Sequence, residues 1–154
     1  MLLELPLLNY QSQLQLKVSK GKRYIFDLIR KKYLVLTPEE IVRQLIILYL
    51  IEEKNYPKNK IRVEMGLTVN ELTKRCDILI FNKNFEPVLL VECKAATVKI
   101  NQKVFEQIAT YNMTLQVPYL LVTNGPQNYC SFIDHERQRF DFLKEIPDYN
   151  TIKE

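Results

Sequence analysis

Two apolar runs, Cys76–Phe81 and Val88–Ala95, are joined only by Asn82-Lys83-Asn84-Phe85-Glu86-Pro87. A link that short cannot carry a parallel crossover, so the two runs are expected to form an antiparallel hairpin. With the turn centred between Asn84 and Phe85, Phe81 faces Val88, Leu79 faces Leu90 and Asp77 faces Glu92. Directly opposed residues project to one side of the sheet, and Lys94, two positions beyond Glu92, shares that side. The other side carries Cys76, Ile78 and Ile80 against Leu89, Val91, Cys93 and Ala95. Both sides are apolar until the level of Asp77 and Glu92, where two carboxylates meet at the edge of a core. The same register sets Arg75 opposite Lys94, an unfavourable pair.

Facing carboxylates repel, and beside an apolar core the repulsion is poorly screened, so one pKa rises unless a cation intervenes. Two readings fit the pattern. In one, Lys94 neutralises Asp77 or Glu92 as a structural ion pair. In the other, a hard divalent cation such as Mg²⁺ takes the two carboxylates and keeps waters and a phosphate as its remaining ligands. Lys94 would then orient or help deprotonate a water, or stabilise charge developing on phosphate.

The flanking segments place this hairpin in an α/β domain. Leu14, Leu16 and Val18 alternate before the turn Ser19-Lys20-Gly21-Lys22, and Tyr24–Ile29 and Tyr33–Leu36 read as further short strands, giving an N-terminal β-meander. Thr37-Pro38-Glu39-Glu40 opens a helix with an N-cap, a proline at the first position and a capping-box glutamate. Ile41, Leu45, Leu48 and Tyr49 carry its apolar stripe. Ile61–Met65 reads as a strand closed by Gly66. Asn101 caps a second helix that runs to about Met113, Tyr119–Val122 is a strand ending at Asn124-Gly125-Pro126, and Cys130–Ile133 is another. Phe142, Leu143 and Ile146 form an apolar patch in the tail. The 154 residues suit one domain, with a β extension over 1–36, a core over 37–125 and a C-terminal extension over 126–154.

Composition excludes several alternatives. Three cysteines without a Cys-x-x-Cys pair indicate neither a disulfide framework nor a zinc knuckle, and make a reducing cytoplasm the expected location. His135 is the single histidine, so no multi-histidine metal site can form. Met1–Tyr10 is apolar but carries Glu4 and Pro6 and lacks a basic start, unlike a signal peptide. Ile41–Ile51 is broken by Arg43 and Gln44 and is too short to span a bilayer. The net charge of +4 is modest, but Lys17, Lys20, Lys22, Arg23, Arg30, Lys31 and Lys32 crowd the meander against Asp27 alone. They form either a solvated turn surface or a phosphate-facing patch, in which Lys22, Arg23, Arg30, Lys31 and Lys32 would contact nucleic acid.

Arg75-Cys76-Asp77 followed by Val91-Glu92-Cys93-Lys94-Ala95 resembles the Asp…Glu-x-Lys signature of the PD-(D/E)xK nuclease superfamily. From about Thr37 to Gly125 the chain further resembles the N-terminal nuclease domain of type I restriction enzyme R subunits. That likeness rests on Thr-Pro-Glu-Glu-x-Val-Arg-Gln at Thr37–Gln44 and Lys-Arg-Cys-Asp at Lys74–Asp77. It rests also on Leu-Val-Glu-Cys-Lys-Ala at Leu90–Ala95, Gln-x-x-x-Tyr-Asn at Gln107–Asn112 and Val-Thr-Asn-Gly at Val122–Gly125.

The resemblance implies a restriction-endonuclease-like fold, a mixed central sheet flanked by helices, and Mg²⁺-dependent DNA cleavage, with Mn²⁺ as a substitute ion. It implies metal binding by Asp77 and Glu92 and a catalytic role for Lys94. Glu40 matches a metal-side glutamate of the first helix, in competition with its capping-box role. Glu64 is a third-tier candidate, with an ordinary solvated strand residue as its rival reading. Gln107 and Tyr111 match a Gln-x-x-x-Tyr motif, four apart on one helix face with Val104 and Ile108, which would put them on the core side; the rival reading is a partly exposed Gln107 beside a core Tyr111. A homodimer or association with other restriction-system subunits is expected, and no membrane. No Gly-x-x-x-x-Gly-Lys-Ser/Thr loop is present, so ATP-driven translocation is not expected of these residues. The alternative function is a catalytically silent module that keeps the nuclease fold and binds nucleic acid or recruits a partner.

Overall fold

The computed structural model describes residues 2–152; Met1, Lys153 and Glu154, the outer ends of the two expected extensions, lie outside the described residues. A 3-10 segment, Leu7–Gln13, leads into β1 (Leu16–Ser19), β2 (Lys22–Asp27) and β3 (Lys32–Val35), which form a separate three-stranded antiparallel sheet. Next come α1 (Pro38–Lys54), β4 (Ile61–Val69), β5 (Leu72–Phe81), β6 (Pro87–Cys93), α2 (Gln102–Asn112), β7 (Tyr119–Thr123), β8 (Asn128–Asp134), β9 (Arg139–Phe142) and the short α3 (Tyr149–Ile152). Strands β4 to β9 lie in sequence order in one six-stranded sheet. Every pairing is antiparallel except β6 with β7, which run parallel because α2 carries the chain back between them. The sheet is therefore mixed, flanked by helices, with the expected meander at its N-terminal side.

Both faces of the sheet are covered. Ile78, Ile80, Leu89 and Val91 face a core built with α1, and Leu79, Leu90 and Val122 face a second core built with Phe105 and Ala109 of α2. Helix α1 starts where the Thr37 Oγ1 accepts the Glu40 N–H at 3.1 Å and ends at Asn55, which takes a left-handed conformation. From Val42 to Leu50 it is buried all round, wider than the amphipathic stripe the sequence predicts, because the 3-10 segment and the meander cover what the sheet does not. Among the described residues, no helix is long and apolar enough to cross a membrane.

The hairpin register is as expected at Ile78↔Val91, Leu79↔Leu90 and Ile80↔Leu89. Three details differ. Phe81 pairs with Pro87 rather than Val88, because the ladder is irregular after Ile80 and Asn82 folds the loop by accepting the Asn84 and Glu86 amides. Strand β4 does not stop at Gly66: it pairs as far as Val69, and a two-residue turn at Asn70-Glu71, both with positive φ, returns it as β5. Cys76 belongs to the core of Leu79, not to that of Ile78, so the strand changes sides at Asp77, opposite Glu64 with its φ of 56°. The β5–β6 ladder has no pair beyond Ile78↔Val91, so Arg75 is not paired with Lys94, and its side chain binds Glu64 of β4. The tail patch also resolves into structure: β9 adds an edge strand, Phe142 packs in the second core, and Leu143 and Ile146 pack in the first.

Candidate active site

Asp77, Glu92 and Lys94 come together at the end of the central hairpin. Beyond the Ile78↔Val91 pair, the Asp77 side chain takes the place of the ladder: its Oδ2 accepts the Cys93 N–H at 2.7 Å. Glu92 is fixed by the parallel ladder to Val122 on β7, and the Lys94 N–H donates to the Thr123 carbonyl at 2.8 Å. Lys94 Nζ lies 3.9 Å from Glu92 Oε2, at the outer limit of an ion pair, and its side chain is 40% exposed. A pair that long and that wet contributes little.

The carboxylates are not at ease there. Burial raises the Glu92 carboxyl above the ordinary carboxylate range and the Asp77 charge raises it further, against Lys94, Asn112 and Lys74. Burial raises Asp77 as well, although the Cys93 hydrogen bond and Arg43 oppose the rise. Two crowded carboxylates, partly desolvated, thus meet an ammonium at the outer limit of an ion pair. Among the described residues, no three His, Cys, Asp or Glu side chains gather as a metal cluster.

The α2 side of the site differs from expectation. Gln107 is exposed and Tyr111 is 68% exposed, so neither lies on the core side. The buried stripe is Phe105, Ala109 and Asn112, because Phe105 enters an aromatic cluster with Tyr129, Phe140 and Phe142 and sets the helix rotation. Asn112, which the sequence reading left without a role, is the residue that reaches the site. Its Nδ2 donates to the Ile108 carbonyl at 2.9 Å and, at 3.5 Å, to Glu92 Oε1, while its Oδ1 accepts from Lys74 Nζ at 2.9 Å. Lys74 in turn lies over the Tyr111 ring, 2.7 Å from its centroid. Tyr111 therefore stands at the rim through Lys74. The signal available was adjacency: Asn112 follows Tyr111 and Lys74 precedes Arg75-Cys76-Asp77 inside segments already singled out.

Glu40 makes contacts that neither sequence reading includes. Its amide is capped by Thr37, but its carboxylate does not return to the Thr37 amide: Oε1 lies 3.4 Å from both Arg30 Nη2 and Arg43 Nη2. Arg43, also buried, donates to Glu64 at 2.7 Å, and Glu64 holds Arg75 at 2.8 Å. Glu64 is thus an ion-pair member rather than a solvated strand residue. This chain of charges runs from the meander to the strand that bears Asp77, and Glu40 Oε2 has no hydrogen-bond partner in it. Burial raises the Glu40 carboxyl, with Arg43 and Arg30 opposing.

Of the expected nucleic-acid-contacting residues, Lys22, Arg23, Lys31 and Lys32 are exposed on the meander. Arg30 is drawn inward, donating through Nε to Asp27 Oδ2 at 2.7 Å.

Residues 38–147 match the family described as type I restriction enzyme R protein N terminus (HSDR_N). Among solved structures, a fragment of a protein described as an HsdR subunit of a type I restriction enzyme from Vibrio vulnificus YJ016 has a similar fold, with a TM-score of 0.52 at 18% identity. The match takes in 76% of this chain and 24% of that one, so the chain spans about a quarter of the length of the structure it matches. No curated protein matches it.

Proposed function

The chain belongs to the family of type I restriction enzyme R protein N termini, and from that membership we propose that it is a divalent-metal-dependent deoxyribonuclease, with Asp77 and Glu92 as metal ligands and Lys94 as the catalytic cation. The observation that carries the proposal is the meeting of Asp77 and Glu92 at a partly buried strand end, where both carboxyls stay raised by burial despite the Cys93 hydrogen bond, Arg43, Asn112, Lys74 and a long contact to Lys94. Mg²⁺ or Mn²⁺ fits that donor set, since such an ion takes one or two carboxylates and completes its shell with water and phosphate. When bound, the ion would supply Lewis-acid stabilisation of phosphate charge and a more acidic water.

The chain's own residues do the positioning. The Cys93 amide fixes Asp77, and the β6–β7 ladder fixes Glu92. Lys94, anchored through its backbone to Thr123, can donate hydrogen bonds to a phosphate oxygen or hold the attacking water. Glu40 is engaged by Arg30 and Arg43, and a metal-side role for it would require those contacts to open. Action alongside other restriction-system subunits in the cytoplasm is part of the same reading. So is a pair of copies where both strands are cut.

The test is cleavage of supercoiled and linear DNA with Mg²⁺ or Mn²⁺, against EDTA. Cleavage is expected with metal only, and its loss is expected in Asp77→Asn and in Lys94→Ala. Cleavage that survives both substitutions overturns the assignment. Salt-dependent DNA binding without cleavage at high protein concentration would instead identify the silent module.

A further inference from the structure

The outward face of the three-stranded sheet serves neither the cores nor the candidate active site. Its register sets Lys17 opposite Tyr24, Tyr24 opposite Val35, and Phe26 opposite Tyr33, so these side chains share one face. The alternate residues of β2, Ile25 and Asp27, are fully buried on the side of the body, which turns the first set outward: Lys17, Tyr33 and Val35 are exposed and Tyr24 and Phe26 half-buried. Tyr24, Phe26 and Tyr33 belong to neither apolar core. They meet one another and a lysine instead. Phe26 and Tyr33 pack edge to face at 5.2 Å, and Lys17 Nζ lies 4.1 Å from the Tyr33 ring centroid and 5.9 Å from that of Tyr24.

The charge around these rings has one sign. Between Gln15 and Leu36 the exposed charged residues are Lys17, Lys20, Lys22, Arg23, Lys31 and Lys32. The single carboxylate of the stretch, Asp27, is fully buried and accepts from the Ile29 and Arg30 amides and from Arg30 Nε. Among the described residues of that stretch, no exposed anion offsets the lysines. Aromatic rings set among uncompensated ammonium groups complement an unpaired polynucleotide: rings stack on bases and ammonium groups meet phosphates. A duplex offers the phosphates but keeps its bases stacked on each other, leaving the rings unused. The exposed cation–π contact of Lys17 is weaker than a base stack, so a base can take the Tyr33 face and leave the ammonium to phosphate.

We propose that the outer face of β1–β3 binds single-stranded DNA, stacking bases on Tyr24, Phe26 and Tyr33 and contacting phosphates through Lys17 and Lys22. The choice of DNA over RNA rests on the deoxyribonuclease reading; the stacking face does not. The test is binding of the full chain in EDTA to labelled oligo-dT, oligo-rU and a duplex of equal length, followed by anisotropy and by tyrosine emission, which no tryptophan masks.

Oligo-dT is expected to bind more tightly than the duplex and to quench tyrosine emission. Tyr33→Ala should weaken it roughly 10-fold, while Tyr33→Phe, which keeps the ring, should not. Removing Lys17 and Lys22 should each lower the slope of log affinity against log salt by about 0.7. No binding of oligo-dT, equal affinity for duplex and single strand, or an unchanged affinity in a folded Tyr33→Ala would overturn the proposal. Tighter binding of oligo-rU would overturn its choice of DNA. Binding in EDTA without cleavage in Mg²⁺ would sink the nuclease reading and leave this one standing, and cleavage without tyrosine-dependent binding would do the reverse.

Discussion

The Asp77 carboxylate accepts the Cys93 amide at 2.7 Å, so one oxygen serves the sheet while the proposed metal role falls to the carboxylate's charge. The two roles can be separated. Asp77→Asn keeps an oxygen acceptor for the amide and loses the charge; it should keep the wild-type fold and stability within about 1 kcal/mol and lose cleavage. Asp77→Ala strands the Cys93 N–H and should cost about 1–3 kcal/mol in addition. Urea unfolding of the two variants beside a DNA-cleavage assay checks this. Equal stability of the two would mean the hydrogen bond is not a support of the sheet.

Glu92 gives a pH-dependent prediction. Burial, then the Asp77 charge, raises its folded-state pKa above the unfolded value. The native state therefore holds the proton to higher pH, and wild-type stability relative to Glu92→Gln falls as pH rises from the unfolded carboxylate pKa through the raised folded one. Without metal, Glu92→Gln should be the more stable protein at neutral pH, with the advantage vanishing at acid pH. Mg²⁺ should raise the wild-type Tm and leave that of Glu92→Gln nearly unmoved. Thermal unfolding across pH, with and without the ion, would show it; a wild type indifferent to Mg²⁺ and Mn²⁺ would count against a metal site.

Lys94 should affect activity without affecting stability. Its side chain is 40% exposed and Nζ lies 3.9 Å from Glu92, so Lys94→Ala should change stability by no more than about 1 kcal/mol. Its loss should nonetheless abolish cleavage if the ammonium works at the phosphate. A variant that unfolds more readily by several kcal/mol would instead make Lys94 the structural partner of Glu92.

How much of this was legible follows from range. The Asp77–Glu92 level could be counted because a short link and period-two alternation fix register locally, and both helix starts, at Thr37 and Asn101, were legible because a cap is a contact three residues long. What was missed depended on partners far away. Val104 and Ile108, beside Gln107 and Tyr111 in sequence, point to a buried face for both. Helix rotation was set instead by Phe105 finding Phe140 and Phe142, thirty-odd residues on. Glu40 left the capping box because Arg30 and Arg43 reach it, and no spacing rule relates Arg30 to Glu40. The Asn70-Glu71 turn lacked the usual glycine and hid the lengths of β4 and β5.

Asp27 anchors the meander, and its loss should release that sheet selectively. It is fully buried and accepts from the Ile29 amide at 2.8 Å, the Arg30 amide at 3.0 Å and Arg30 Nε at 2.7 Å. Burial alone would raise its pKa, but the hydrogen bonds from the Arg30 amide, the Arg30 side chain and the Ile29 amide outweigh it and hold the carboxyl below its ordinary value. A depressed carboxyl stabilises the fold above the unfolded pKa and loses that contribution as pH falls through the folded one. The stability gap between wild type and Asp27→Asn should therefore be widest near neutrality and close in acid, the opposite course to Glu92→Gln. Asp27→Ala, which leaves two amides unanswered, should cost about 2–3 kcal/mol. Hydrogen exchange should then show β1–β3 opening first while the Cys93 amide stays protected. Simultaneous loss of protection in both sheets would mean that the meander is part of the same cooperative unit as the central sheet.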